Sequence, residues 1–153
     1  MALTTSAGAH TSAQAVATVP VSARVMDECR VTPAVLDFGR YSPVGPNAVQ
    51  PLDSDATFEV ACTPGATARV SLGLGQSPSG TQRRMASARG RDLMAYDLYR
   101  DSGRSSTWGT GDVVTVTSFG PAPVRLTVYG RVPGGQDLSV GSYADSVVIT
   151  VTF

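Results

Sequence analysis

From Ser146 to Phe153 the chain alternates without a break. Val147, Ile149, Val151 and Phe153 fall on one face, and Ser146, Val148, Thr150 and Thr152 on the other. A period of two, carried by β-branched and aromatic residues, specifies a strand with one face buried. A strand in that position needs a neighbour on each side, or it leaves open hydrogen-bonding groups at a sheet edge. The expectation is that it lies beside a gap in its own sheet. A second alternating stretch, near the start of the chain, has the form of a strand that fills such a gap in another molecule.

The rest of the sequence agrees with an all-β reading. Helix formers are scarce: Glu occurs only at Glu28 and Glu59, and Lys is absent. With 16 Gly and 10 Pro among 153 residues, short strands separated by turns are expected, in one domain large enough for a core. The formal charge of +0 points to neither nucleic acid nor an anionic membrane. No run of apolar residues is long enough to span a membrane. Cys29 and Cys62 are the only cysteines. In a turn-rich β chain they read as a disulfide of an exported protein, with two buried free thiols as the alternative. A disulfide would close a loop of about 34 residues and contribute about 3–4 kcal/mol.

Residues 1–15 are small and polar and lack the basic and apolar regions of a complete signal peptide. Ala7-Gly8-Ala9 and Ala13-Gln14-Ala15 have the small-x-small form of a cleavage site, so the segment reads as a signal-peptide remnant or a disordered arm. In residues 16–25, Val19, Val21, Ala23 and Val25 alternate with Thr18, Pro20, Ser22 and Arg24. Pro20 has no N–H to give a ladder, which suits an edge. The segment is either the first edge strand of its own domain or an extension that pairs with another chain. Further strands are expected at Cys29–Val31 continuing through Val35–Gly39, and at 56–62, 68–74, 93–100, 113–117, 124–129 and 142–153. Residues 75–91 read as a long irregular connection. Seven or eight strands without a helical period favour a sandwich.

Catalytic chemistry finds little support. The single histidine, His10, lies in the arm, so a nucleophile would lack a positioned base. Asp53 with Asp55, and Asp97 with Asp101, sit in or near turns, where Asp serves the backbone. Calcium at Asp53 and Asp55 would lack the number of ligands that Ca²⁺ needs. Gly73-Leu-Gly75-Gln-Ser-Pro lacks the helix that a phosphate loop opens. Arg83, Arg84, Arg89 and Arg91 form one basic cluster, either a glycan or anion patch or a solvated loop. Tyr41 and Trp108 are aromatics that either line a sugar site or plug the core. No cofactor or metal is expected.

An ordered set of stretches resembles the spore coat protein U-like domain family, which includes pilin subunits of the archaic chaperone–usher pathway. They are Cys29-Arg-Val-Thr-Pro with Leu36-Asp-Phe-Gly39, Phe58-Glu-Val-Ala-Cys62, Arg84-Met85, Leu93 to Asp101 with Arg104, Trp108-Gly-Thr-Gly111, Leu126 to Pro133, and Gly141 to Phe153. The likeness runs from residue 16 to 153. It implies an incomplete immunoglobulin-like β-sandwich that lacks its last strand, over residues 26–153, with an N-terminal donor strand at 16–25. On that resemblance Val19, Val21, Ala23 and Val25 are donor residues, and Val147, Ile149, Val151 and Phe153 line the acceptor groove and the chaperone contact. The terminal carboxylate would anchor to basic residues of the chaperone. The implied partners are other copies or related pilin subunits, a periplasmic chaperone and an outer-membrane usher, and the implied place is the periplasm in transit and then the cell surface. Pro20 and the small Ala23 depart from an ideal donor strand and would zip a fibre less tightly. The alternative is a self-contained secreted immunoglobulin-like module that binds glycan through its Arg-rich loop.

Overall fold

The computed structural model describes residues 1–9 and 11–153, so His10 lies outside the described residues. Among the described residues nine strands make two packed sheets: β1 (Cys29–Thr32), β2 (Leu52–Cys62), β3 (Thr67–Leu72), β4 (Arg83–Ser87), β5 (Leu93–Tyr99), β6 (Val114–Thr117), β7 (Val124–Val132), β8 (Tyr143–Ala144) and β9 (Ile149–Thr152). The larger sheet runs β1-β2-β7-β5-β4-β8 and the smaller β6-β3-β9. All neighbours are antiparallel. The helical content of the described residues is one 3-10 turn at Pro46–Ala48, and no helix is long and apolar enough to cross a membrane.

Alternation places the core between the sheets. Phe58 and Val60 of β2, Met94, Tyr96 and Leu98 of β5, and Val128 and Val132 of β7 face Val70 and Leu72 of β3 and Val116 of β6. Trp108 is 1% exposed, its ring centroid 5.8 Å from that of Phe58, and its indole N–H donates to the Val70 carbonyl. It plugs the core and has no face free for a sugar. Cys29 and Cys62 stand opposite each other on β1 and β2 and form a disulfide. Beside them Thr63 N–H donates to the Glu28 carbonyl, and Glu28 N–H to Thr63 Oγ1.

The strands depart from the sequence expectation in several places. β2 begins at Leu52, so Asp53 and Asp55 stand on a strand paired with β7 and not in a turn, and β7 runs on to Val132. The first strand stops at Thr32, and residues 33–41 join no ladder. Pro33, without an N–H, ends the pairing. The segment expected to be irregular contains β4, whose pattern is masked because a charged residue, Arg83, occupies an inward position and is 4% exposed. The expected single last strand is two: β8 pairs with β4 in the larger sheet, and β9 with β3 in the smaller. Asp145, just after β8, holds the crossing. Its carboxylate accepts from Tyr96 Oη, Gln76 N–H and Ser146 N–H.

Residues 16–25 belong to no strand of the domain. Val19, Val21 and Val25 are 83%, 91% and 81% exposed. The reading of this segment as a first edge strand of its own domain therefore does not describe the structure.

Candidate functional site: an open groove between the sheets

One edge of the sandwich is open. Its first lip is the unladdered stretch 33–41. Leu36 and Phe38 turn inward there, alternating with Asp37, and lie against the β7 backbone at Gly130. A Cβ at Gly130 would stand 2.6 Å from Phe38 Cζ and 2.7 Å from Leu36 Cδ2, so only glycine admits the lip this closely. Ser54 Oγ donates to the Asp37 carbonyl at 2.7 Å, and Gly39 N–H to Asp37 Oδ1 at 2.8 Å, which hold the lip in place.

The second lip is the crossing from β8 to β9. β9 is an edge strand with β3 on one side, and its other side faces the gap. Between the lips lies a cavity of about 460 Å³, bounded by Ala34, Leu36 and Phe38 on one side and Tyr143, Val147 and Ile149 on the other, over a floor of Phe58, Leu72, Tyr96, Leu98 and Val128. Leu36, Phe38, Met85 and Tyr143 also line a second space of about 700 Å³ that carries the groove on toward Tyr41, Pro43, Leu52 and Leu138. The result is a long apolar trough with an unpaired backbone edge along it, the shape that accepts a β-strand.

The sequence-expected residues divide. Val147 and Ile149 line the cavity, half-buried. Val151 is half-buried, opposite Val70 in the ladder and packed on the core. Phe153 is 57% exposed and outside the lining. The other lip escaped the sequence reading as a groove wall. Its signal, Leu36-Asp37-Phe38, was legible only as a continuing strand.

The four clustered arginines do not form one surface patch. Arg83 Nε donates to the Gly73 carbonyl at 2.8 Å, and its terminal nitrogen to Leu72 and Trp108 carbonyls at 3.3 and 2.7 Å. Burial pulls its pKa down, against nearby Tyr96, Asp97, Asp145 and Asp112. Arg84 is half-buried and donates to the carbonyls of Ser77 and Pro78. Arg89 and Arg91 remain exposed, in the β4–β5 turn. Burial foremost, and then its bond to Asp145, push the Tyr96 phenol well above its ordinary pKa, so it stays protonated and donating. The carboxylates are occupied structurally: Asp53 pairs with Arg131 at 2.7 Å, and Asp101 accepts the N–H groups of Ser105 and Ser106. Among the described residues no group of three His, Cys, Asp or Glu is placed to hold a metal.

The comparisons with known proteins meet this geometry. The Spore Coat Protein U domain matches residues 15–150. Protein U of Myxococcus xanthus is 38% identical over 127 residues, which are 77% of this chain and 71% of that protein. Among solved structures, the CsuC-CsuE chaperone-tip adhesion subunit pre-assembly complex, from archaic chaperone-usher Csu pili of Acinetobacter baumannii, contains a chain 23% identical with a TM-score of 0.59. The likeness covers 84% of this chain and 40% of that one. The P pilus rod subunit PapA is 16% identical with a TM-score of 0.51, over 81% of this chain and 97% of that one. At these identities the two structures speak to the fold, and it is the all-β, immunoglobulin-like sandwich that the sequence implied. Sequence match and fold agree over nearly the whole length, and the chain belongs to the Spore Coat Protein U domain family.

Proposed function

We propose that this protein is a structural subunit of an exported surface fibre or coat, joined to its neighbours by donor-strand complementation. The observation that carries the reading is the coexistence, in one chain, of a trough bounded by an unladdered lip and the free edge of β9, and an exposed alternating segment that its own domain leaves unpaired. Residues 16–25 would enter the trough of another copy, with Val19, Val21, Ala23 and Val25 directed at the floor. Residues 26–153 form the accepting domain, and residues 1–15 lie outside both. Val147 and Ile149 then act as acceptor residues, with Leu36 and Phe38 across from them, and Val151 and Phe153 extend the acceptor strand. Backbone ladders on both sides would give affinity, and the buried side chains register.

The two structural relatives, one from a chaperone–subunit complex of an archaic chaperone-usher pilus and one a pilus rod subunit, support a route through a periplasmic chaperone and an outer-membrane usher to the cell surface. The role is mechanical, with no cofactor and no turnover. The glycan-binding module is the weaker reading, because Arg83 is buried and Arg84 spends its guanidinium on backbone carbonyls.

The test removes residues 1–25, expresses the remainder in an oxidising compartment, and measures its mass and melting with and without a peptide spanning Val16 to Val25. The expected result is a labile domain that the peptide stabilises strongly, while a Val21→Arg peptide does not. A stable monomer indifferent to the peptide would overturn the reading.

A further inference from the structure

The groove has a direction, and it fixes where the next copy must sit. One pole of the sandwich carries Cys29, Cys62 and the β2–β3 turn, and there residues 1–28 leave the domain. The opposite pole carries the start of β2, the end of β7 and the β4–β5 turn. The trough runs between the poles, from Ala34 and Ile149 to Tyr41 and Leu138.

A strand inserted antiparallel to β9 finishes at the second pole. The reverse orientation would finish at the first, where the acceptor's own extension departs. That pole would then have to hold two neighbours, and the chain could not propagate. Insertion antiparallel to β9 gives each pole one neighbour, the condition for an open head-to-tail filament.

The linker is short. Only Met26, Asp27 and Glu28 separate Val25 from Cys29, which limits the gap to at most about 14 Å. Side chains from the two bodies therefore reach one another. The charges are complementary. Asp27 and Glu28 are both exposed; the Glu28 backbone is held by Thr63, and among the described residues its carboxylate meets only the exposed Arg30, at 3.3 Å. At the receiving pole, Arg40 borders the mouth of the trough on one lip. Arg89 and Arg91 lie in the turn tied to the other lip, through Ala88 N–H to the Ser142 carbonyl at 2.9 Å and Ser139 N–H to Asp92 Oδ2 at 2.7 Å. The exposed acids on that side are Asp37, Asp53 and Asp137, of which Asp53 is paired with Arg131 and Asp37 accepts from Gly39 N–H.

We infer that Asp27 and Glu28 of one copy dock between Arg40 and the Arg89–Arg91 turn of the next, a charged clamp at each joint of the polymer. The inference rests on the donor-strand reading and adds to it a second contact surface, whose occupant is another copy of this chain. It assigns the two arginines left exposed in the basic cluster a protein partner instead of a glycan.

The test uses the full chain carrying Arg40→Glu, Arg89→Glu and Arg91→Glu, with self-association followed by light scattering at low and high salt. Association is expected to weaken about tenfold at low salt and little at high salt. Adding Asp27→Arg and Glu28→Arg to the same chain should restore it. Unchanged association of the triple variant, or failure of the charge swap to restore it, overturns the clamp. The Val16–Val25 peptide, which lacks both acids, separates the two ideas. It should raise the melting temperature of the triple variant as much as that of the unaltered chain, showing an intact trough. If it stabilises neither, the groove reading falls and the clamp with it.

Discussion

The Tyr96 hydroxyl donates to Asp145 Oδ2 at 2.6 Å, joining the middle of the larger sheet to the point where the chain leaves it for the smaller one. Tyr96 is 3% exposed and also lines the floor of the trough. Tyr96→Phe keeps the ring and removes the donor. The expected cost is about 1–2 kcal/mol, because a part-buried carboxylate oxygen loses its partner. Chemical denaturation measures this, and amide exchange at Ser146 and Gln76 should rise with it. An unchanged midpoint would show that solvent already satisfies Asp145.

Gly130 decides how closely the first lip approaches. Gly130→Val places a side chain where Leu36 and Phe38 now lie. The lip must move outward, and overpacking of this kind costs about 1–3 kcal/mol. Binding of the Val16–Val25 peptide should weaken together with the melting temperature. A variant that loses stability but binds the peptide as before would mean that this lip takes no part in the groove.

Replacing both Cys29 and Cys62 with Ala should lower stability by about 2–4 kcal/mol. The disulfide already joins two paired strands, so the loss should show as a shifted denaturant midpoint without loss of the fold. Reductant should reproduce it in the unaltered chain and do nothing to the variant.

Acid should loosen the protein through specific carboxylates. The Arg131 hydrogen bond foremost holds the Asp53 pKa below its ordinary value, and bonds from Ser139 do the same for Asp92. A depressed folded-state pKa contributes stability that is complete above the unfolded value. That stability is lost as the pH falls through the folded value. Melting temperature should therefore hold above about pH 5 and decline below about pH 4. Asp53→Asn with Asp92→Asn should flatten that decline, and an equally steep acid limb in the variant would refute the assignment.

Much of the sandwich was legible because its apolar residues alternate: the inward faces of β2, β3, β5 and β7 follow the sequence period. The failures share a cause, which is that a pattern names a face and not its partner. Ser142 to Phe153 reads as one strand because nothing in its order says that Asp145 will bind Tyr96 and turn the chain between sheets. Arg83 reads as surface because the carbonyls of Leu72, Gly73 and Trp108 that hold it come from distant stretches. Leu36-Asp37-Phe38 reads as a paired strand, while its place at the rim of a trough depends on the absence of a neighbour.

The disulfide also sets a load path. In the head-to-tail polymer proposed above, tension would enter each domain along residues 16–28, pass the hydrogen bonds of Thr63 to Met26 and Glu28, and meet its first covalent cross-link at Cys29. From there a covalent link passes it to Cys62, at the end of the eleven-residue β2, which is zipped to β7 from Leu52 to Val60. The short β1 is thereby bypassed. Pulling shears a long central ladder, whose bonds must break together, instead of unzipping an edge strand one bond at a time.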